Sequence, residues 1–326
     1  MTRTGLVLSL LIVLLLSAAN CSAKEPGPKF QPLYGRLLII GQQQDTIEDY
    51  VKEIGVVPGG VMSYTSIQGM DGLETPANNG AGVHHASNLM LHYPQTALQL
   101  GLYMVGALDD VLAGQYDDNI QLLATWLKQL ERPVFLRIGY EFDFEDNGYD
   151  PKKYQAAYRY IVDQLRSQGV DNVAYVWHSA TMMHHPGDFM DWYPGDKYVD
   201  WFGFSYFSPL QSRTIDDFAA LAKEHDKPLM IAESTPAGFY TTRGKQEWFR
   251  KYFNLIRRKD IKVVSYINSH WDGYPMFMDK KWGDARVQAN PVTKAYWNNM
   301  MGTEEFLQSS PDLFNILTYR KDIPKQ

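Results

Sequence analysis

The sequence predicts a single-domain (β/α)8 barrel, an α/β fold, and three observations carry that prediction. Eight short apolar, β-branched or aromatic runs recur along the 326 residues, segments with helical spacing lie between them, and no glycine-rich dinucleotide fingerprint follows the first run. The runs are Leu37–Gly41, Gly60–Tyr64, Leu102–Ala107, Val134–Tyr140, Val173–His178, Trp201–Tyr206, Leu229–Glu233 and Val263–Asn268. Helical spacing follows the first at Thr46–Ile54, the third at Ile120–Leu130, the fourth at Pro151–Gln168, the sixth at Ile215–His225 and the seventh at Lys245–Arg258. The second helix, within Ala86–Leu100, and the fifth, around Pro186–Tyr193, have weaker periodicity. A doubly wound open sheet is the alternative. Against it, Gly41 leads into Gln42-Gln43-Gln44, which cannot cradle a pyrophosphate as GxGxxG would.

Composition and charge narrow the classes. With 45% hydrophobic and 21% charged residues the chain is an ordinary globular protein, which excludes disorder as its dominant state. Thirty-one Lys and Arg against 37 Asp and Glu give a net charge of −6, and no basic run offers a stripe for tracking phosphates, so nucleic acid is not an expected partner. Aromatic residues make up 13%, a surplus that points to rings lining a binding surface as well as a core.

The first 20 residues read as a signal peptide: Arg3 precedes an apolar stretch from Leu6 to Leu16, too short to span a bilayer, since about 20 residues are needed. Cys21, the only cysteine, stands where a bacterial lipoprotein signal places its acylated residue. Ala18 and Asn20 depart from the usual lipobox, so ordinary cleavage near Ala19 or Ala23 remains the alternative. Either way the protein is expected to be exported, lipid-anchored at the cell envelope or surface if Cys21 is acylated and otherwise periplasmic or secreted. A lone cysteine excludes an intramolecular disulfide. Residues 21–34 read as a tether, 35–302 as the barrel and 303–326 as a surface tail.

In a barrel of this kind chemistry belongs at the C-terminal ends of the strands. Polar residues collect there: Gln42, Tyr64, Asp109 and Asp110, Glu141, His178, Tyr206, Glu233, and His270 with Trp271. Two carboxylates end otherwise apolar runs, Glu141 after strand four and Glu233 after strand seven, where burial is costly unless a partner or a function holds them. Paired carboxylates facing one sugar can act as general acid and nucleophile, and their separation sets retention or inversion. A rim salt bridge with Arg137 is the structural alternative for either one. Arg137 lies four residues before Glu141, so on a strand both point to the same side, towards the barrel interior. His84-His85 and His184-His185 lack a third ligand at useful spacing, so neither a metal nor another cofactor is expected. Asp143, Glu145 and Asp146 read as solvated charge, and no GxSxG elbow is present.

The segment Leu136-Arg137-Ile138-Gly139-Tyr140-Glu141-Phe142 resembles the strand-four motif of glycoside hydrolase family 26, whose best-known members are β-mannanases, and Ile231-Ala232-Glu233-Ser234 resembles its strand-seven nucleophile segment. The resemblance runs through most of residues 35–300, although only these two motifs are specific. It implies a retaining hydrolase of a β-linked polysaccharide or oligosaccharide, endo-acting on mannan or a related glycan, with Glu141 as acid/base and Glu233 as nucleophile. Arg137 and the Tyr206 hydroxyl are expected to donate to the nucleophile, Trp271 to stack under the reacting sugar, and Gln42, Tyr140 and His178 to meet substrate. One departure bears on the substrate: family 26 mannanases usually carry His immediately before the acid/base, where this chain has Tyr140. The competing reading is a barrel that binds glycan at the cell surface without cutting it.

Overall fold

The computed structural model describes residues 28–181 and 186–319. The signal peptide, Cys21, residues 22–27 of the tether, His184-His185 and residues 320–326 lie outside the described residues. Eight parallel strands form a closed barrel: β1 (Arg36–Gly41), β2 (Gly60–Ser66), β3 (Ala97–Tyr103), β4 (Val134–Ile138), β5 (Val173–Ser179), β6 (Trp201–Tyr206), β7 (Leu229–Ser234) and β8 (Val263–Ile267). β8 pairs back onto β1, with Leu37 opposite Val263 and Gly41 opposite Ile267, which closes the ring. The helices surround it: α1 (Gln44–Ile54), α2 (Ala86–His92), α3 (Leu108–Leu112), α4 (Asp117–Leu130), α5 (Pro151–Ser167), α6 (Ser212–Glu224), α7 (Thr242–Arg258), α8 (Pro291–Met301) and α9 (Leu313–Ile316). Among the described residues the crossover after β5 holds a 3-10 segment, Pro186–Trp192, and no α-helix, which accounts for its weak helical periodicity.

Local chemistry sets these elements. Asp150 caps α5 by accepting from the Lys153 amide, and Pro151 begins the helix where no amide donor is needed. Thr241 caps α7 in the same way, and Trp248, Phe249, Tyr252, Phe253 and Ile256 then recur at helical spacing and bury one face against the barrel. Strand parity divides the core in two. Leu38, Ile40, Leu136, Tyr175, Trp177, Phe202 and Phe204 face the helices. Leu37, Ile39, Met62, Phe135, Val176, Trp201 and Met230 fill the barrel. Most of the aromatic surplus goes into packing, with Trp177, Trp201, Trp248, Trp271 and Trp297 all fully buried.

Three sequence expectations are corrected. The third strand is Ala97–Tyr103 and not Leu102–Ala107, because β2 pairs from Gly60 opposite Ala97 to Ser66 opposite Tyr103 and Gly106, at φ 73, turns the chain soon after. Asp109 and Asp110 consequently fall on α3, and Asp109 pairs with Lys153 at 2.7 Å. The end of the tether is part of the fold. Phe30 is 5% exposed, its ring lies 6.0 Å from Phe135 and 5.8 Å from Tyr319, and the Trp201 indole donates to the Lys29 carbonyl at 2.8 Å. The described part of the surface tail is structural too: β9 (Phe306–Leu307) pairs with the start of β1, and Leu313 and Leu317 are fully buried. The apolar side chains of Phe30, Leu307, Leu313 and Leu317 seal the N-terminal mouth of the barrel.

Candidate active site

Arg137 occupies the centre of the C-terminal mouth. It projects inward from β4, is fully buried, and its guanidinium stays protonated at any working pH. Two tyrosine rings flank it, with the guanidinium carbon 4.9 Å from the Tyr64 centroid and 5.1 Å from that of Tyr140. The close approach of β3 makes this possible: a Cβ on Gly101 would stand 2.6 Å from the Tyr64 ring and 3.1 Å from an Arg137 nitrogen. Through Nη1 the guanidinium donates to Glu233 Oε1, and the Tyr64 hydroxyl donates to the same oxygen at 2.7 Å. Gln42 stands 3.1 Å from that hydroxyl, whose single proton goes to Glu233. Glu233 is thus an ion-paired, doubly hydrogen-bonded carboxylate, 7% exposed.

Glu233 reaches this place through a β-bulge. Along β7 the alternation Met230, Ala232 points inward, which would turn residue 233 towards the helices. The pairing with β6 instead steps from Phe204 opposite Ile231 to Ser205 opposite Glu233, so β7 carries one extra residue and both Ala232 and Glu233 face the barrel. Gln99, on β3 inside the barrel, donates to the Ala232 carbonyl at 2.8 Å and accepts from Ser265 at 2.6 Å, which satisfies the backbone the bulge displaces.

Glu141 arrives by a different device. β4 ends at Ile138, and Gly139 (φ 54) and Glu141 (φ 53) both adopt left-handed backbone. The shared side of Arg137 and Glu141 therefore comes from a turn and not from strand alternation, which corrects the parity argument. A side chain at residue 139 would meet Met104 at 2.7 Å and Tyr154 at 2.9 Å, so glycine is required there. Asn147 holds the turn by donating to the Glu141 carbonyl at 2.8 Å. The left-handed conformation of a glutamate costs on the order of 1 kcal/mol and is maintained by these surroundings.

The two carboxyls have different environments. Burial in the mouth raises the pKa of Glu141 to about 8; the Glu233 charge and Asp143 push in the same direction, while the Ser205 hydroxyl, 2.7 Å from Oε1, and Arg137 oppose. Asp143 is not free solvated charge: it accepts from the Ser179 hydroxyl and the Ala180 amide, both at 2.6 Å, and burial lifts its pKa to about 6. Glu145 and Asp146 are exposed, as expected. One carboxyl that holds a proton near neutrality beside one ion-paired with an arginine is the division of labour that acid-assisted nucleophilic displacement needs.

The structure gathers Gln42, Arg137, Tyr140, Glu141, His178 and Glu233 at this mouth and corrects three roles. Arg137 donates to Glu233, the part expected of it, and has no exposed surface with which to meet substrate. His178 is also fully buried, with its Nδ1 3.3 Å from Arg137 and its Nε2 3.0 Å from Ser205, so it lies behind the site. Tyr206 faces outward against Trp248 and Tyr252, as the parity of Trp201, Gly203 and Ser205 requires, and Tyr64 takes the part expected of it. Trp271 is 1% exposed and presents no face to a sugar. Its indole donates to Thr235 at 3.0 Å and it packs under its own loop against Phe277 and Trp282. Tyr140 is half-buried with its ring 5.3 Å from Tyr64 and 6.3 Å from the exposed Tyr103, an aromatic wall along the mouth. Ser205 and Gln99 went unnoticed in the sequence, although strand parity places both inside the barrel. Among the described residues no group of three or more metal-ligating side chains converges, and His84 is a buried ring whose pKa burial lowers to about 4.

Comparison with known proteins gives the family. The β-1,3-xylanase of an Alcaligenes species is 34% identical over 337 residues, covering 94% of this chain and 72% of the relative. The β-1,3-xylanase TXYA of a Vibrio species is 34% identical over 334 residues, covering 93% and 73%. In three dimensions a family 26 β-mannanase from Bacteroides ovatus superposes with a TM-score of 0.67 at 16% identity, covering 90% of this chain and 95% of that one, a likeness of fold. The model of glycosyl hydrolase family 26 matches residues 91–298. With that match and relatives aligned along nearly its whole length, the chain belongs to glycosyl hydrolase family 26.

Proposed function

We propose that the protein is an exported, retaining endo-glycosidase that cleaves β-1,3-linked xylan by double displacement. The observation that carries the mechanism is the contrast between its two carboxyls: Glu233 is ion-paired with Arg137 and accepts from Tyr64, while burial raises the pKa of Glu141 to about 8. Glu233 attacks the anomeric carbon as Glu141 gives its proton to the departing glycosidic oxygen. Glu141, now a carboxylate, takes a proton from the water that releases the sugar from Glu233, and two inversions give net retention. The choice of xylan is supported by 34% identity to two β-1,3-xylanases and by Tyr140 standing where mannanases usually carry His.

The test is digestion of β-1,3-xylan, β-1,4-xylan and β-mannan, with the anomer first released followed by proton NMR. Oligosaccharides from β-1,3-xylan in the β-configuration are expected. Release of the α-anomer would overturn the retaining mechanism, and faster cleavage of mannan would overturn the substrate. Glu233→Ala is expected to abolish turnover and leave oligosaccharide binding largely intact, whereas full activity in that variant would overturn the assignment. Export is supported by Arg3 and the apolar stretch Leu6–Leu16, and the lipid anchor by Cys21. Loss of membrane association in Cys21→Ser is expected, and an unchanged distribution would overturn the anchor.

A further inference from the structure

A chain of hydrogen bonds joins the two carboxylates behind the mouth, and its direction follows from the donors available. Arg137 has no acceptor atom, so its Nη1, which donates to Glu233, also donates to His178 Nδ1 at 3.3 Å. That nitrogen therefore carries the lone pair and Nε2 carries the proton. Nε2 lies 3.0 Å from Ser205 Oγ and donates to it, so the Ser205 proton is free to turn towards Glu141 Oε1, 2.7 Å away. His178 and Ser205 are both fully buried, leaving no solvent to compete for these positions. Burial and the adjacent Arg137 cation lower the pKa of His178, so the ring stays neutral and the tautomer fixed.

We infer that Ser205 is a positioning residue for the acid/base: a one-way relay from Arg137 through His178 locks its hydroxyl as a donor to Glu141 Oε1, leaving Oε2 as the oxygen that carries the catalytic proton. The relay has a second consequence. Its donor favours the charged carboxylate, opposing the burial that favours the acid, so Ser205 helps Glu141 change between acid in the first displacement and base in the second. The other ionisable groups around Glu141 are Glu233 from β7, Arg137 from β4 and Asp143 from the turn after β4, with Tyr140 adjacent in the chain. Of the hydroxyls near Glu141, Ser205 is the one whose hydrogen bond opposes the effect of burial on its proton. The inference rests on the hydrolytic reading of the site.

Two measurements test it. In Ser205→Ala the alkaline limb of kcat/KM should move up by about one pH unit, as loss of a donor to a carboxylate raises its pKa, with kcat lowered about tenfold. Ser205→Thr, which keeps the hydroxyl, should restore both. A Ser205→Ala profile that superimposes on the wild type, in a variant with unchanged circular dichroism, would overturn the inference. Independently, nitrogen-15 NMR of labelled wild-type protein should show His178 neutral, with the proton on Nε2, from pH 5 to 9. A proton on Nδ1 would overturn it. The NMR arm needs no turnover, so a protein inert on every glycan would refute the hydrolytic reading while the tautomer still decides the relay.

Discussion

Glu141 illustrates how the demands of a reaction and those of folding diverge at one residue. Its pKa lies above that of a glutamate in the unfolded chain, so the folded protein binds the proton more tightly. Stability from this residue is fully present below the unfolded pKa and is lost as pH rises through the folded value, about 8. Glu141→Gln, neutral at every pH, is expected to melt a few degrees higher than the wild type at pH 8, with the difference vanishing towards pH 4. Calorimetry across that range checks it, and a constant difference would mean that the carboxyl is not held protonated. The same substitution should reduce kcat on polysaccharide by roughly 10²- to 10⁴-fold, the usual contribution of a positioned acid. In the wild type, activity should fall as pH rises past the Glu141 pKa, because the leaving oxygen then loses its proton donor.

Two departures from regular strands place the two carboxyls of the mouth. The left-handed turn after β4 brings Glu141 over the mouth, and the bulge in β7 turns Glu233 inward. Gln99 supports the bulge from within the barrel by donating to the Ala232 carbonyl, one residue before Glu233. Gln99→Leu leaves that carbonyl and the Ser265 hydroxyl without their buried partner, which should cost about 1–3 kcal/mol. The expected signature is a kcat loss measured at 25 °C, where circular dichroism still reports a native barrel. A variant that is less stable but fully active would show that the bulge holds its shape without Gln99. Both glutamates stand out in the sequence because each ends an apolar run. The devices that aim them do not, because a bulge is a property of pairing between two strands and a left-handed turn is fixed by what packs against it.

At the scale of the molecule the two ends of the barrel have different tasks. Phe30, Leu307, Leu313 and Leu317 close the end where the strands begin, and Glu141 and Glu233 lie where they finish. Phe30→Ala should cost about 3–5 kcal/mol through the cavity it leaves, visible as a lower melting temperature, with kcat at 25 °C unchanged because the plug lies across the barrel from Glu141 and Glu233. A parallel loss of kcat would show that the two ends are coupled. The sequence reads 21–34 and 303–326 as tether and tail, since neither stretch carries a long periodic pattern. The burial of their described parts is decided by a few apolar side chains meeting the base of a barrel formed by other elements.

What the sequence by itself determined is the set of periodic signals and the chemical identities: eight apolar runs alternating with helical spacing, two glutamates ending runs four and seven, and an arginine four residues before the first of them. Each depends on residues near one another in the chain, which is why it can be read there. Tertiary structure alone decided which side chains serve which carboxyl. Tyr64 and not Tyr206 meets Glu233, Ser205 meets Glu141, His178 stands behind the mouth and Trp271 is sealed beneath its loop. Those choices follow from the register between β6 and β7 and the closure that brings β2, β4 and β7 to one point, and each of these requires residues far apart in sequence to meet.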